Sequence, residues 1–399
     1  MIDTLQRGVA KIRLGATSDA LTFAVACVLG LAAIQSTQAQ TFTVLHSFHD
    51  SEGARPFARL VRDVKGNLFG TTAGGGTHGV GTVFKVSKTG KETVLYTFCS
   101  RSGCTDGENP FAGLVPDTAG NFYGTTDSGG STGKGTVFKV DTTGTETVLH
   151  SFTGSDGENP EGGLLSDKAG NLYGTTLSCD SCYGTVYQLS KKGRLTVLHR
   201  FAGEPTDGEY PQYTSLLMDT KGNLYGVTEL GGTSNQGVVY KLSRRGTFTV
   251  LHNFAGGTRD GCGPLGTPAM DKDGNLYGTA QACGSFGYGI VWRVSKTGTE
   301  TVLHNFAGYP TDGANPWAGV TMDAKGNFYG DTERGGTHGY GTVWKLSKAD
   351  TLTVLHSFAR SDGENPIRGF LRDAKGDLYG TAYQGGSGGS GTVWKLAPK

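Results

Sequence analysis

Short runs of β-branched, aromatic and aliphatic residues recur along this chain, and polar segments rich in glycine separate them. One run, typified by GNLYGTT, occurs seven times at a spacing of 50 to 54 residues, beginning at Gly66, Gly120, Gly170, Gly222, Gly274, Gly326 and Gly376. An apolar run that ends in aspartate precedes each copy, and runs similar to GTVFKV and TVLHSF follow it. Each period therefore predicts four β-strands, labelled A, B, C and D, of which GNLYGTT is strand B.

The segments between these strands have the chemistry of tight turns. Strands A and B are separated by Asp-x-x-Gly, as from Asp117 to Gly120, and strands C and D by Ser-Lys-Thr-Gly or a relative, as from Ser87 to Gly90. Aspartate can accept backbone hydrogen bonds across such a turn, and glycine adopts the left-handed conformation without steric cost. Successive hairpins are therefore expected to join the four strands into one antiparallel sheet.

A four-stranded sheet repeated at this period is typical of a β-propeller, because the rungs of a β-solenoid, the competing arrangement, are much shorter. The repeats open with a lone D strand, Thr43 to Phe48, and close with a C strand, Gly391 to Leu396. The final sheet thus lacks one strand, which the first segment can supply. We predict an all-β fold: a seven-bladed β-propeller of four-stranded antiparallel blades, closed by the N-terminal strand.

The first residues differ in character from the repeats. Arg7, Lys11 and Arg13 precede an apolar run from Leu21 to Ile34, and small or polar residues follow it up to Ala39. This pattern is typical of a secretory signal peptide over residues 1–39, which leaves residues 40–399 as one propeller domain. A membrane anchor is the alternative, but the apolar run is shorter than the ~20 residues of a membrane span. We expect a secreted or periplasmic protein without membrane contact once the signal is cleaved.

Six cysteines lie within the repeats. They form three local pairs, Cys99 with Cys104, Cys179 with Cys182, and Cys262 with Cys283, which predicts three disulfides in an oxidising compartment. The CxxC at Cys179 also occurs in zinc and redox sites, but the additional ligands or the βαβ context of such sites are missing.

Charge and motifs narrow the function classes. Lys and Arg total 36 against 35 for Asp and Glu, so no nucleic-acid partner and no anionic membrane surface are expected. The sequence contains no nucleophile elbow, P-loop, dinucleotide-binding motif or HExxH. Because these motifs are missing, we predict no cofactor. We also expect a monomer.

The motifs DxxGNLYGTT, GTVFKL, TVLxSF and DGxxP together resemble the Gloeobacter/Verrucomicrobia-type tandem repeat (GloVer repeat) of secreted bacterial proteins. The resemblance covers residues 40–399. It implies an exported bacterial repeat protein, often with a separate carboxyl-terminal anchoring segment, and no established activity. This sequence departs from that pattern because it ends in Ala397, Pro398 and Lys399 without an apolar tail. Free secretion or periplasmic retention is therefore expected rather than surface anchoring.

In such a propeller the D–A and B–C connections share one face, where their variation favours ligand binding. The D–A loops carry a recurring Asp-Gly-Glu-Asn-Pro, whose carboxylates could hold a polar ligand or Ca²⁺. A purely structural turn is the other interpretation, since residues repeated in every blade are distributed around a ring. The candidate ligand-face residues are Asp106, Glu108, Asp156, Glu158, Asp207, Asp312, Trp317, Asp362 and Glu364.

Trp317 and a recurring histidine position also bear on the chemistry of this face. Trp317 follows a proline at the place that Phe57, Phe111 and Ile367 occupy in other blades, so it could offer a stacking surface near the channel. Histidine stands at one position of strand D in six copies, with Tyr96 in the seventh, which favours a packing role over metal ligation.

Uniform repeats without singular catalytic residues favour a non-enzymatic binding or scaffold propeller, with a polysaccharide or a cell-envelope component as its partner. The alternative is a carbohydrate-active or lactone-hydrolysing enzyme that uses loop carboxylates, with or without Ca²⁺. A purely structural envelope protein is a third hypothesis.

Overall fold

The computed structural model describes residues 40–397, which form seven four-stranded antiparallel sheets, as the repeats predict. The signal peptide expected over residues 1–39 lies outside the described residues. Among residues 40–397, no helix is long and apolar enough to cross a membrane.

The strands follow one order in every blade, from A at the channel to D at the outside. The A strands are Val61–Arg62, Val115–Pro116, Leu165–Ser166, Leu217–Met218, Gly261–Met270, Thr321–Met322 and Phe370–Arg372. The B strands are Leu68–Thr72, Phe122–Thr126, Leu172–Thr176, Leu224–Thr228, Leu276–Cys283, Phe328–Thr332 and Leu378–Ala382. The C strands are Thr82–Val86, Thr136–Val140, Thr185–Leu189, Val238–Leu242, Ile290–Val294, Thr342–Leu346 and Thr392–Ala397. The D strands are Glu92–Thr97, Glu146–Ser151, Leu195–Arg200, Phe248–Asn253, Glu300–Asn305, Leu352–Ser357 and Thr41–Ser47, the last of which belongs to blade 7.

Ring closure is as predicted. The strand Thr41–Ser47 pairs antiparallel with Thr392–Ala397, and Val44 lies opposite Trp394. The first described strand thus completes the seventh blade, and the last sheet has no missing strand at its outer edge.

Each pair of neighbouring blades buries one hydrophobic cluster, so seven clusters follow the ring. Each contains the phenylalanine that follows strand D and an aromatic residue of strand C in the next blade. Their ring centroids lie 4.9 Å apart for Phe48 and Phe84 and 5.9 Å apart for Phe358 and Trp394. Aromatic pairs at this spacing attract each other beyond the gain from area burial. The repeated TVLHSF motif therefore encodes the contact between blades.

The turns have the geometry that the sequence predicts. Oδ1 of Asp117 accepts hydrogen bonds from the amides of Ala119 and Asn121, both at 2.9 Å, and Gly120 has a φ of 86°. The A strands are shorter than expected, with two residues in five of the seven blades. Near the axis, neighbouring chain segments approach so closely that a β-carbon on Gly319 would overlap the carbonyl oxygen of Thr267. This crowding leaves little room for regular strands.

The D–A and B–C loops share one face, as expected, because backbone bridges join them within each blade. Single bridges link Ala54 with Gly74, Glu108 with Ser128, Glu158 with Ser178 and Glu364 with Gln384. Blades 4 and 6 form two-residue strands here, Gly208–Glu209 with Leu230–Gly231 and Gly313–Ala314 with Arg334–Gly335. In blade 5 the longer A and B strands make this pairing themselves, and a 3-10 turn, Ser102–Cys104, lies in the D–A loop that leads into blade 2.

The strand B glycine of each blade lies beneath the strand C aromatic ring. We predict that Gly330→Ala lowers the free energy of unfolding by about 1–3 kcal/mol. The reason is that a β-carbon at Gly330 would overlap Cζ2 of Trp344. Denaturant unfolding of the purified protein measures the change. In a Trp344→Leu background the same alanine should cost less, and an equal cost in both backgrounds would contradict this explanation.

Candidate functional site

The repeated aspartates of the D–A loops are anchored to strand D. His304 Nε2 lies 2.9 Å from Oδ2 of Asp312, whose Oδ1 accepts the amides of Ala307 and Gly308. The same pairing joins His150 with Asp156, His199 with Asp207, His252 with Asp260, and His356 with Asp362, while Tyr96 donates to Asp106 and His46 contacts Glu52. These seven contacts are distributed around the ring, and each holds its own loop.

The Asn-Pro part of the loop clamps one blade to the preceding one. Asn109 has a φ of 55°, and its Nδ2 donates to the carbonyl of Ala73 at 2.9 Å. The side-chain amides of Asn159, Asn315 and Asn365 likewise donate hydrogen bonds to backbone carbonyls of the blades that precede theirs. The Pro110 ring packs against Gly81 so closely that a β-carbon there would meet Cδ of the proline. The repeated loop motif thus has a structural role in every blade.

The loop glutamates and cysteines also make local contacts. Glu158 pairs with Lys134 and accepts the Ser178 hydroxyl, and Glu364 lies 3.6 Å from Arg360. Glu108 lies beside the Cys99–Cys104 disulfide. The other two predicted disulfides, Cys179–Cys182 and Cys262–Cys283, are also present. The predicted acidic residues are therefore spread over separate loops in this structure.

Residues that depart from the repeat meet at the centre of the ring. A partly open cavity of about 430 Å³ runs along the axis and is lined by all seven blades. At its loop-rich end lie Glu161, Tyr213, Trp317 and Arg368. The first three occupy the equivalent position of their blades, and Arg368 stands where the other blades have alanine, glycine or threonine. We call these four residues, together with Phe57, the channel mouth.

Arg368 crosses the channel mouth between two aromatic rings. Its guanidinium carbon lies 3.9 Å from the ring centroid of Phe57 and 4.2 Å from that of Tyr213, distances typical of cation–π contacts. Nη1 donates to the Tyr213 carbonyl at 2.9 Å, whereas Nε and Nη2 are buried and have no partner among the described residues. Burial lowers the pKa of Arg368 to about 9.

Two buried acids adjoin this arginine. Burial raises the pKa of Glu161 to about 8, and the negative charges of Asp127 and Glu229 add to the effect, while Arg368 opposes it. Burial likewise raises the pKa of Asp331 to about 8. Oε2 of Glu161 and both carboxylate oxygens of Asp331 have no hydrogen-bond partner among residues 40–397. Asp331 replaces a strand B threonine whose hydroxyl, as in Thr71, bonds to the next blade.

A polar rim surrounds the channel mouth on the loop-rich face. Glu229 accepts hydrogen bonds from Gln212 and from Gln281, the latter at 2.8 Å. Burial raises the pKa of Asp127 and of Glu333, which stand at the equivalent position directly after strand B in their own blades. The site thus combines aromatic rings, amides and carboxyl groups at one end of the axis.

The structure places Trp317, predicted near the channel, against Tyr213 with ring centroids 6.0 Å apart. Sequence reasoning did not select Glu161, Tyr213, Asp331 or Arg368. The signal that could have found Glu161, Asp331 and Arg368 is departure from the repeat, since each stands where most blades have a different kind of residue, whereas Tyr213 stands at a position that is aromatic in four blades.

The described residues hold one cluster of three close metal-ligand atoms. It consists of Cys99, Cys104 and Glu108, within 4.8 Å of one another, and its two cysteines are bonded to each other. The other D–A loop carboxyl groups belong to no such cluster in the described part of the chain, and Ca²⁺ binding by these loops stays a prediction.

The fold and this axial site define a seven-bladed β-propeller with a channel-mouth pocket. Residues 101–270 and 264–399 match the Gloeobacter/Verrucomicrobia repeat, and the chain belongs to that family. Curated proteins give no match.

Solved structures are similar to this chain at low identity. The extracellular domain of a putative one-component system from B. thetaiotaomicron is 10% identical with a TM-score of 0.56 and covers 89% of this chain, which spans 40% of that one. A gluconolactonase from Xanthomonas campestris is 14% identical with a TM-score of 0.44, covering 70% of this chain and 82% of its own. A luciferin-regenerating enzyme is 13% identical with a TM-score of 0.43, covering 71% and 90%. The likeness to the first of these, at 10% identity, shows the fold alone.

We predict that Glu161→Gln changes the pH dependence of stability. A carboxyl group whose pKa is raised in the folded chain binds more protons there than in the unfolded chain, so stability falls as pH rises from about 4.5 to about 8. Glutamine cannot ionise, so the variant should gain stability relative to the wild type between about pH 6 and about pH 9. Denaturant unfolding at both pH values measures this.

The matched control is Glu158→Gln, which removes a loop glutamate of the same blade that pairs with Lys134. A stability difference between Glu161→Gln and the wild type that stays constant over this pH range would contradict the prediction.

Proposed function

We propose that the protein is an exported, non-enzymatic binding propeller whose ligand engages the channel mouth on the loop-rich face. The observation that carries the proposal is the convergence of non-repeated residues at the axis, while the repeated loop residues are occupied by contacts within and between blades. Three disulfides fit an oxidising compartment outside the cytoplasm and support export.

The chemistry of the mouth favours a polysaccharide or a cell-envelope glycan as the ligand. Trp317 and Phe111 are only half-buried and present aromatic surface, while Glu229 and Gln281 supply hydrogen-bonding groups at the rim. Ligand sites typically combine apolar walls with a few polar groups that fix orientation, which is the combination found here.

Binding to polysaccharides and peptidoglycan fragments, measured by calorimetry, tests this function. We expect at least one of them to bind, and Trp317→Ala to weaken that binding about tenfold or more, because aromatic residues in such sites contribute about 2 kcal/mol or more. Phe286→Ala is the matched control, since Phe286 is an exposed aromatic residue in a B–C loop that does not line the channel.

Absence of binding to every glycan tested would argue against the proposed function, and so would equal losses in Trp317→Ala and Phe286→Ala. Unfolding curves of both variants show whether the fold is retained.

The second candidate is a carbohydrate-active or lactone-hydrolysing enzyme. One observation favours it: Glu161 is buried, lacks a partner for Oε2 and has a pKa of about 8, so it holds its proton near neutral pH as a general acid must. Turnover of a glycan or lactone that Glu161→Gln abolishes would support the enzyme. Tight binding without turnover would exclude it for the substrates tested.

A further inference from the structure

The axial cavity contains a second arginine, Arg59, deeper than the channel mouth. Arg59 belongs to the segment that leads into strand A of blade 1, and it lines the cavity together with residues of the other six blades. A volume of about 430 Å³ lies within the range of small-molecule sites.

Arg59 is the exception at its position in the repeat. The other six blades have small residues there, all of which line the same cavity: Gly113, Gly163, Ser215, Thr267, Gly319 and Gly369. The crowding near the axis explains the small residues, since a β-carbon on Gly113 would already touch the Arg59 backbone. A long cationic side chain at this one position therefore extends into the channel.

The Arg59 guanidinium lacks a partner. Its side chain is exposed to the channel and makes no hydrogen bond or salt bridge with any residue from 40 to 397. The surrounding blades nevertheless desolvate it, and this burial alone lowers its pKa. An unpaired, partly desolvated guanidinium is costly unless an anion binds to it.

The other charges along the cavity do not neutralise Arg59. The charged residues that line the cavity are Arg59, Arg368 and Glu161. Arg368 adds a second guanidinium with two unpaired nitrogens. Glu161, with a pKa of about 8, is largely uncharged at neutral pH.

We propose that Arg59 forms an anion-binding site inside the channel, distinct from the glycan site at the mouth, which takes the oxyanion group of a small molecule: a carboxylate, phosphate or sulfate. The planar guanidinium presents paired N–H donors that match two oxygens of such a group. Thr267 supplies a hydroxyl on the cavity wall, where its Oγ1 already accepts the Ser215 amide and keeps its own proton to donate.

The competing explanation is that Arg59 only fills the channel. A space-filling role depends on the length of the side chain and is independent of the solution anion. An anion site instead requires that a bound oxyanion stabilise the folded protein through Arg59. The two explanations differ in the response of variants to anions.

The test is thermal unfolding and calorimetry of the purified protein with sodium phosphate, sodium glucuronate and glucose. Sodium chloride keeps the ionic strength equal in all samples and serves as the reference. We expect phosphate and glucuronate to raise the melting temperature saturably through Arg59, and any effect of glucose to be the same with and without Arg59. Arg59→Gln should weaken the binding of both anions about tenfold or more, and Arg59→Lys should retain part of it.

Arg62→Gln is the matched control, because Arg62 lies three residues further along the same segment but pairs with Asp373 outside the channel. It should keep the anion response. The proposal is overturned if no oxyanion stabilises the wild type beyond chloride, if Arg59→Gln responds as the wild type does, or if Arg59→Gln weakens the binding of glucose as much as that of glucuronate. Trp317→Ala should leave the response intact, so failure of the glycan site and failure of this site are distinguishable.

Discussion

The contact on which the structure depends is the aromatic pair between the phenylalanine after strand D and the strand C aromatic ring of the next blade. It occurs at every interface, including that of Phe48 with Phe84, where the strand from the N-terminal end of the described chain belongs to the last blade. Because each pair fixes one blade against the next, seven of them close the ring. The residues at the axis meet only because that ring is closed.

Repeated residues contact only their own or a neighbouring blade, whereas residues at the axis contact residues of distant blades. A repeated residue such as Asp312 or Asn109 lies on one blade and contacts its own loop or the neighbouring blade, so seven copies form seven separate contacts. At the axis, residues of distant blades come together: Arg368 of blade 7 stacks on Tyr213 of blade 4. A single substitution there changes a shared space, which is why the candidate site consists of departures from the repeat.

This geometry also explains what the sequence could predict. Hairpins, blade number and ring closure follow from local phrases and their count, since Asp117 or Gly120 needs only near neighbours to define a turn. The disulfide between Cys262 and Cys283 was predicted as a bridge between two loops, whereas in the structure both cysteines lie in the extended, paired A and B strands of blade 5. Glu161 and Arg368 are separated by four blades in sequence order, and a single repeat gives no sign that they share a cavity. The short A strands were missed because crowding at the axis is a property of the closed ring.

Stability does not account for the charged residues at the axis. A threonine at the position of Asp331, or an alanine at that of Arg368, as in other blades, would avoid burying charges whose hydrogen-bonding groups lack partners. The attraction between Asp331 and Arg368 offsets only part of that desolvation, since burial is the larger influence on the pKa of both groups. Unpaired buried polar groups in a cavity are instead characteristic of sites where a ligand completes the hydrogen bonding. The same reasoning supports the proposal for Arg59, which lines the cavity and has no hydrogen-bond or salt-bridge partner among residues 40–397, and it is the reason for placing both proposed ligand sites on the channel axis.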